Sequence, residues 1–374
     1  MATTHVFVVD VNTFKYHLEY LFTGTGAKDH HIDFNNSSST QLHSKTESNL
    51  VGMIADGSRV RVGDFVIFYL QQNFSQGIYE GKFYGIFQVS QVLFLDNNDN
   101  NQFLKQQLNK SLTFRILIQP YTVYSQGVSE WEALDEIKYI QSPNQMLWSL
   151  IYRKLKGNRG NTMITMYEAD RMFHLLSSKN NNISLANNNF TFDVASQAIV
   201  NNTNSNQYTG RVELINILPR LLNKFTNGLQ FETHLQAYIL QNLENIFSNE
   251  NIEWIGNEVS CGVGMQRIDI MFSSIINQIQ RKVVPIELKS TVAYPNIIYQ
   301  LQRYIDWIQQ YYLPNIPSII EPIIISRFTE DKTTQSYIDL INSFNLFNVN
   351  NNLRIRYIEF SVQNNNLNFI EVNY

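Results

Sequence analysis

Two short apolar segments near the C-terminal end carry acids where a plain core strand would carry none. They are Arg267-Ile268-Asp269-Ile270-Met271-Phe272 and Val283-Val284-Pro285-Ile286-Glu287-Leu288-Lys289. Both read as β-strands, since β-branched and apolar residues run through them. Side chains alternate along a strand, so Glu287 and Lys289 share one face while Ile286 and Leu288 take the other. Asp269 likewise points away from Ile268 and Ile270. Charges at the ends of buried strands are costly unless they serve one another or a metal ion. Any fold for this chain has to bring them together.

The 374 residues suffice for two domains, each with its own core. With 44% hydrophobic residues the chain reads as globular. No apolar run approaches the ~20 residues of a membrane span. The start, Met1 to Asn12, shows no basic stretch followed by an apolar one, so no signal peptide is expected. The single cysteine, Cys261, excludes an internal disulfide and a cysteine-based zinc site. It fits a reducing cytoplasm. A net charge of −4 is not that of a constitutively basic nucleic-acid binder. Local charge decides that question, however. Between Ile137 and Tyr167 the basic residues Lys138, Arg153, Lys154, Lys156 and Arg159 occur with no acid among them. Such a run is usually a solvated face; phosphate contact is the alternative reading.

Organisation follows from periodicity. Strands are expected over 5–12, 63–70, 81–89 and 112–120, a polar surface loop over 24–48, and helices over 144–155 and 167–176. Residues 1–176 thus read as a β-rich domain. Residues 177–209, crowded with Asn, Ser and Thr, read as a linker, although Phe190, Phe192 and Ile199 could dock locally. From 210 onward an amphipathic helix over 231–247 precedes strands at 254–261, 266–272 and 282–288. A helix over 296–312 and strands at 322–326, 353–360 and 367–372 follow. That order predicts an α/β domain with a central mixed sheet over 210–374.

Asp269 and Glu287 fall on neighbouring strands able to pair as a hairpin. A hard divalent cation needs only one or two carboxylates and otherwise keeps waters and phosphate oxygens. Both acids, with the backbone carbonyl of Leu288, form the expected metal set. The ion would polarise a scissile phosphate and acidify a bound water. Lys289 is placed to orient or deprotonate that water, or to stabilise developing charge. Glu232, one position off the apolar stripe of its helix, is a candidate outer-shell or second-metal carboxylate. In the later helix Gln300 and Tyr304 stand at i and i+4, with Trp307 and Tyr311 continuing their face. The apolar seam Ile297, Leu301, Ile305 and Ile308 is separate, so the polar-aromatic stripe is more than packing needs. An Asp followed by Glu-x-Lys alone is a chance pattern; its setting in buried strands gives it meaning.

Residues 230–310 resemble the PD-(D/E)XK nuclease superfamily, most closely its NucS-like and RecB-like branches. Pro285-Ile286-Glu287-Leu288-Lys289 corresponds to the signature strand and Asp269 to the preceding acid. Gln300-Leu301-Gln302-Arg303-Tyr304 matches the Gln-x-x-x-Tyr element of RecB-like members. One departure is that Met265, Gln266 and Arg267 separate Gly264 from Ile268, where NucS-like proteins read Gly-x-x-Asp-Ile-Leu. The resemblance implies a restriction-endonuclease-like core and a DNA nuclease dependent on Mg²⁺, with Mn²⁺ as a substitute. Arg59 to Tyr69 and Gly81 to Val89 resemble PUA-like and EVE-type domains, which are associated with nucleic-acid binding and, in some members, with a flipped modified base. Phe68, Tyr69, Phe83, Tyr84, Trp131 and Trp148 are then candidate base contacts.

Together these readings predict a PUA-like reader over 1–176 and a cutter over 210–374: an endonuclease acting on double-stranded, modified or unmodified DNA, of restriction type. A repair nuclease using the same cutter is the alternative. A nucleic-acid binder with a vestigial nuclease fold is the alternative from another class, and RNA stays open as a target. Cutting both strands calls for two sites, hence a homodimer. No Gly-rich ATP-binding loop is present, so no motor function is expected.

Overall fold

The computed structural model describes residues 2–26, 30–34, 43–142, 160–186, 188–261, 266–277, 280–313 and 318–374. The chain divides into two units, Met1–Asp33 with Leu42–Ile215, and Phe34–Gln41 with Asn216–Tyr374. Among the described residues no helix is long and apolar enough to cross a membrane. Each unit is a mixed α/β structure around its own sheet.

In the first unit β1 (Thr4–Val9) stops where Asp10 becomes an N-cap, its side chain accepting from Thr13 N–H at 2.9 Å. That cap starts α1 (Val11–Glu19), so the strand is shorter than expected. Then come β2 (Phe22–Thr25), α2 (Ser44–Ser58), β3 (Phe65–Leu70), β4 (Lys82–Leu95), α3 (Lys105–Leu108) and β5 (Phe114–Pro120). After these follow β6 (Val128–Ser129), α4 (Glu130–Asp135), β7 (Asn161–Ile164) and α5 (Met166–Lys179). Sheet order is β2-β5-β4-β3-β1-β7, with β6 also on β4; only β1 and β3 run parallel. Gly85, at φ +65°, lies where β4 places two residues against one of β3. A left-handed position in a bulge suits glycine. The expected loop over 24–48 gives way to β2 at Gly24 and Thr25, and to α2 from Ser44.

Residues 177–209 are not a linker. They complete α5 and form the hairpin β8 (Phe190–Asp193) and β9 (Ala198–Asn201). Phe190, Phe192 and Ile199 are buried in the same core as Phe14, Phe68, Tyr84 and Phe87. Two phenylalanines and an isoleucine of the hairpin gain a few kcal/mol by such burial. The first unit therefore runs on to Ile215.

Among the described residues the first element of the second unit is α6 (Leu218–Thr226). The helix expected over 231–247 is two, α7 (Glu232–Gln241) and α8 (Leu243–Ile246), divided at Asn242. Then follow β10 (Ile252–Ser260), β11 (Arg267–Ile275), β12 (Arg281–Leu288) and α9 (Ile297–Trp307), which continues as a π-turn over Ile308–Tyr312. The chain ends with β13 (Ser318–Ile320), β14 (Ile323–Arg327), α10 (Gln335–Asn351), β15 (Arg356–Gln363) and β16 (Asn366–Val372). The sheet order is β10-β11-β12-β14-β15-β16. β12, β14 and β15 run parallel and the other neighbours in this order antiparallel, giving the mixed sheet expected.

Pro285 sits inside β12, a position a central strand rarely tolerates. β13 pairs with Arg281 to Val283 and β14 with Ile286 to Leu288, leaving a break between them. Lys289 N–H and the Val283 carbonyl both bond to that side, at 2.9 and 3.0 Å. By alternation the missing N–H of Pro285 faces the break, where no partner needs it. The strand thus reaches Glu287 with its ladder intact.

Candidate active site

The pairing of β11 with β12 runs from Ile275 opposite Arg281 to Ile270 opposite Ile286. One step further along the same register, Asp269 and Glu287 face each other across the strand ends. Leu288 N–H donates to Asp269 Oδ2 at 2.8 Å, tying the first acid to the strand that carries the second. Glu287 is 1% exposed. Its Oε1 accepts from Lys289 Nζ at 2.5 Å, and its Oε2 lies 2.6 Å from the Tyr304 hydroxyl. That hydroxyl is also 2.8 Å from the Arg267 carbonyl, so its one proton serves one oxygen at a time. Glu232, in the first turn of α7, accepts from Ser290 N–H at 3.2 Å. Asp269, Glu287, Leu288, Lys289 and Tyr304 are therefore joined by direct contacts, and Glu232 is held beside them through Ser290. Gln300 does not join them; half-buried one turn before Tyr304, it faces the Tyr294 hydroxyl at 3.5 Å.

Burial, then the facing charge of Glu287, pushes the Asp269 carboxyl well above the usual carboxylate range. Leu288 N–H and Lys289 pull it the other way, and Glu232 adds to the rise. Burial works against the Lys289 ammonium, yet Glu287, Glu232 and Asp269 outweigh it and hold that group above its ordinary value. Tyr304 is raised by burial and then by Glu287. The Cys261 thiol, buried, is pushed up to about 12 and offers no thiolate. The donors are thus all hard oxygens, and two facing carboxylates, one buried and one half-buried, are relieved by a cation. Among the described residues no three His, Cys, Asp or Glu side chains close on one point as a ready cage. Mg²⁺, which keeps several waters and takes one or two carboxylates, fits such a pair.

One polar pair here escaped sequence reasoning. Gln236 and Asn257, both buried, stand behind Asp269. Only the spacing of Gln236 from Glu232, one helical turn, hinted at a shared face.

In the first unit the expected base contacts separate into two kinds. Phe68, Phe83 and Tyr84 are core residues, and Tyr69 is buried with its hydroxyl donating to Glu130. None of these four presents a free ring face, because each is packed between strands and helices. Trp131, 65% exposed, and Tyr79, 68% exposed, instead flank an open cavity of about 430 Å³. Glu80, Lys82, Ser196 and Gln197 line it. Gln197 is fixed there by Lys82 Nζ at 3.1 Å and by its own bond to the Gly77 carbonyl at 3.1 Å. The helix expected over 144–155, with Trp148, Arg153 and Lys154, and the basic residues Lys156 and Arg159 after it lie outside the described residues.

No protein-family profile matches the chain, and no curated protein does. Among solved structures, a hypothetical protein from Leishmania major is similar at 8% identity, covering 48% of this chain and 97% of that one, with a TM-score of 0.28. The DUF55 domain of human thymocyte nuclear protein 1 is similar at 8% identity over 46% of this chain and 98% of that one, TM-score 0.27. Human THYN1 in complex with DNA containing 5-methylcytosine is similar at 10% identity over 46% and 97%, TM-score 0.25. Likenesses this slight fix neither fold nor ligand.

Proposed function

We propose that the chain is a Mg²⁺-dependent DNA endonuclease, with its cutting site at the ends of β11 and β12 and a DNA-reading surface in the first unit. The observation that carries this reading is the meeting of half-buried Asp269 with buried Glu287, with Lys289 in contact. A chain that folds for stability alone has no use for two carboxylates placed so that desolvation, and then their repulsion, lifts one of them out of its ordinary range.

Asp269 and Glu287, with the Leu288 carbonyl, would hold the ion. When bound, it would polarise the scissile phosphate and acidify a water. Lys289, kept protonated by its three acidic neighbours, is suited to donate to the charge that develops on the phosphate rather than to take a proton from water. Tyr304 fixes the rotamer of Glu287, and Glu232 adds negative charge beside the pair. Double-strand cutting calls for two such sites, hence a homodimer.

For the first unit, the exposed rings of Trp131 and Tyr79 beside a cavity with polar walls suit stacking on a base and hydrogen bonding to its edge. Restriction and repair roles share one cutter. Cleavage of methylated, unmodified and mismatched duplexes, with an RNA arm, separates them.

The deciding experiment is cleavage of native and unmodified genomic DNAs with Mg²⁺, wild type beside Asp269→Ala. Discrete fragments from the wild type alone support a site-specific endonuclease. Intact DNA in both reactions, with DNA still bound, moves the reading to a non-catalytic binder.

A further inference from the structure

We infer that Gln236 is the positioning residue of the acid pair, and that it acts by holding the backbone of Asp269. The inference rests on the reading of Asp269 and Glu287 as the metal-holding pair.

Gln236 lies one turn after Glu232 on α7, so both side chains project from one helix face. It is 7% exposed. Its amide nitrogen has two hydrogens, and each has a partner: Asn257 Oδ1 on β10 at 2.8 Å, and the Asp269 carbonyl on β11 at 2.8 Å. The ladder between these strands explains why a side chain reaches that carbonyl. Pairing passes from Asn257 opposite Ile270 to Val259 opposite Ile268, and between them Glu258 stands at φ +48°, in the left-handed region. The register is the same on either side of Glu258, but the pair Glu258 opposite Asp269 drops out of the ladder, opposite the residue whose carboxylate has to be held in place. Gln236 supplies a bond there from the helix. Asp269 is consequently gripped twice, at its carbonyl by Gln236 and at Oδ2 by Leu288 N–H. Groups that hold a metal ligand this way set its aim, and their loss typically costs 10–100-fold in metal affinity or activity.

The test is Gln236→Leu, close in volume and without donors, in the full chain. Three quantities are measured: the Leu288 amide resonance in ¹⁵N-leucine-labelled protein without metal, Mn²⁺ affinity by calorimetry, and kcat and KM for DNA cleavage with Mg²⁺. The expected result is a shifted Leu288 amide resonance, Mn²⁺ affinity lower by about 10-fold or more, and a fall of about 10–100-fold in kcat with KM unchanged. A folded variant with the wild-type Leu288 resonance overturns the inference. So does one whose Mn²⁺ affinity and kcat match the wild type, or whose only change is a lower melting temperature. Should the wild type cut no DNA, the nuclease reading fails, while the Leu288 resonance still decides the role of Gln236. Where Gln236→Leu does not fold, Gln236→Met, which keeps the length and removes both donors, is read the same way.

Discussion

The Tyr304 hydroxyl stands 2.6 Å from Glu287 Oε2, which fastens α9 to the end of β12. Replacing it by Phe keeps the ring and removes only the oxygen. Tyr304→Phe is expected to lower the cleavage rate by about 10–100-fold, as loss of an orienting partner does. DNA binding should stay unchanged. Stability should fall by about 1–2 kcal/mol, because the buried Glu287 oxygen and the Arg267 carbonyl lose a shared donor. Single-turnover rates and thermal melting read both effects; an unchanged rate refutes the role.

Asp269 makes the opposite trade. Its carboxyl is raised in the folded chain, so between its ordinary range near 3.8 and its folded value the native state binds more protons than the unfolded one. Stability from this group is therefore full below the ordinary value and is lost as pH rises. Asp269→Asn keeps an acceptor for Leu288 N–H and removes the charge. At neutral pH without metal it should be more stable than wild type by about 1 kcal/mol, and it should not cut. Denaturant midpoints at neutral and acidic pH measure this, and the gain should shrink on acidification.

Much of this site was legible because strands announce themselves by period 2, and acids out of place in that period stand out. Asp269, Glu287 and Lys289 were visible so. Gln236 and Asn257 were not, since their role exists only where α7, β10 and β11 meet. The helix α10 was hidden because asparagines, poor helix formers, fill Gln335–Asn351 around the buried Leu340, Phe344 and Phe347. Likewise, Asn-rich composition disguised β8 and β9 as a linker, although Phe190 and Phe192 alternate as strand residues do. Composition reports solvent preference on average, whereas two or three buried rings decide whether a hairpin docks.

That docking is testable. Phe192 is 4% exposed, its ring centroid 4.8 Å from that of Phe14 and 5.5 Å from that of Tyr84. Phe192→Ala should cost the first unit about 3–5 kcal/mol, the usual cost of an emptied phenylalanine site. A linker residue would cost almost nothing. Amide exchange in β1 and β3 reads the loss within this unit, and unchanged protection there refutes the hairpin's place in the core.

Acid should weaken the first unit through two buried histidines. His5 Nε2 lies 2.9 Å from Asp64 Oδ2, and its Nδ1 lies 2.5 Å from Arg59 Nη1. Arginine has no acceptor, so Nδ1 must accept and the ring is neutral, with its proton on Nε2. A second proton would have to enter between two donors. Burial, with Arg59 adding to it against the opposing pull of Asp64, lowers the His5 pKa from 6.5 to about 4. Burial does the same for His17, whose Nδ1 faces the Phe22 carbonyl at 3.0 Å, again to about 4. Between these values the unfolded chain binds the protons and the folded chain does not. Stability is therefore full above 6.5 and is lost as pH falls toward 4, by on the order of 3 kcal/mol for each histidine. This slope is opposite in sign to that of Asp269, so the two units should part company on acidification. Amide exchange followed from neutral to mildly acidic pH should show β1 and β3 losing protection while β11 and β12 do not. Equal losses in both sheets would mean that the buried histidines do not govern the acid response.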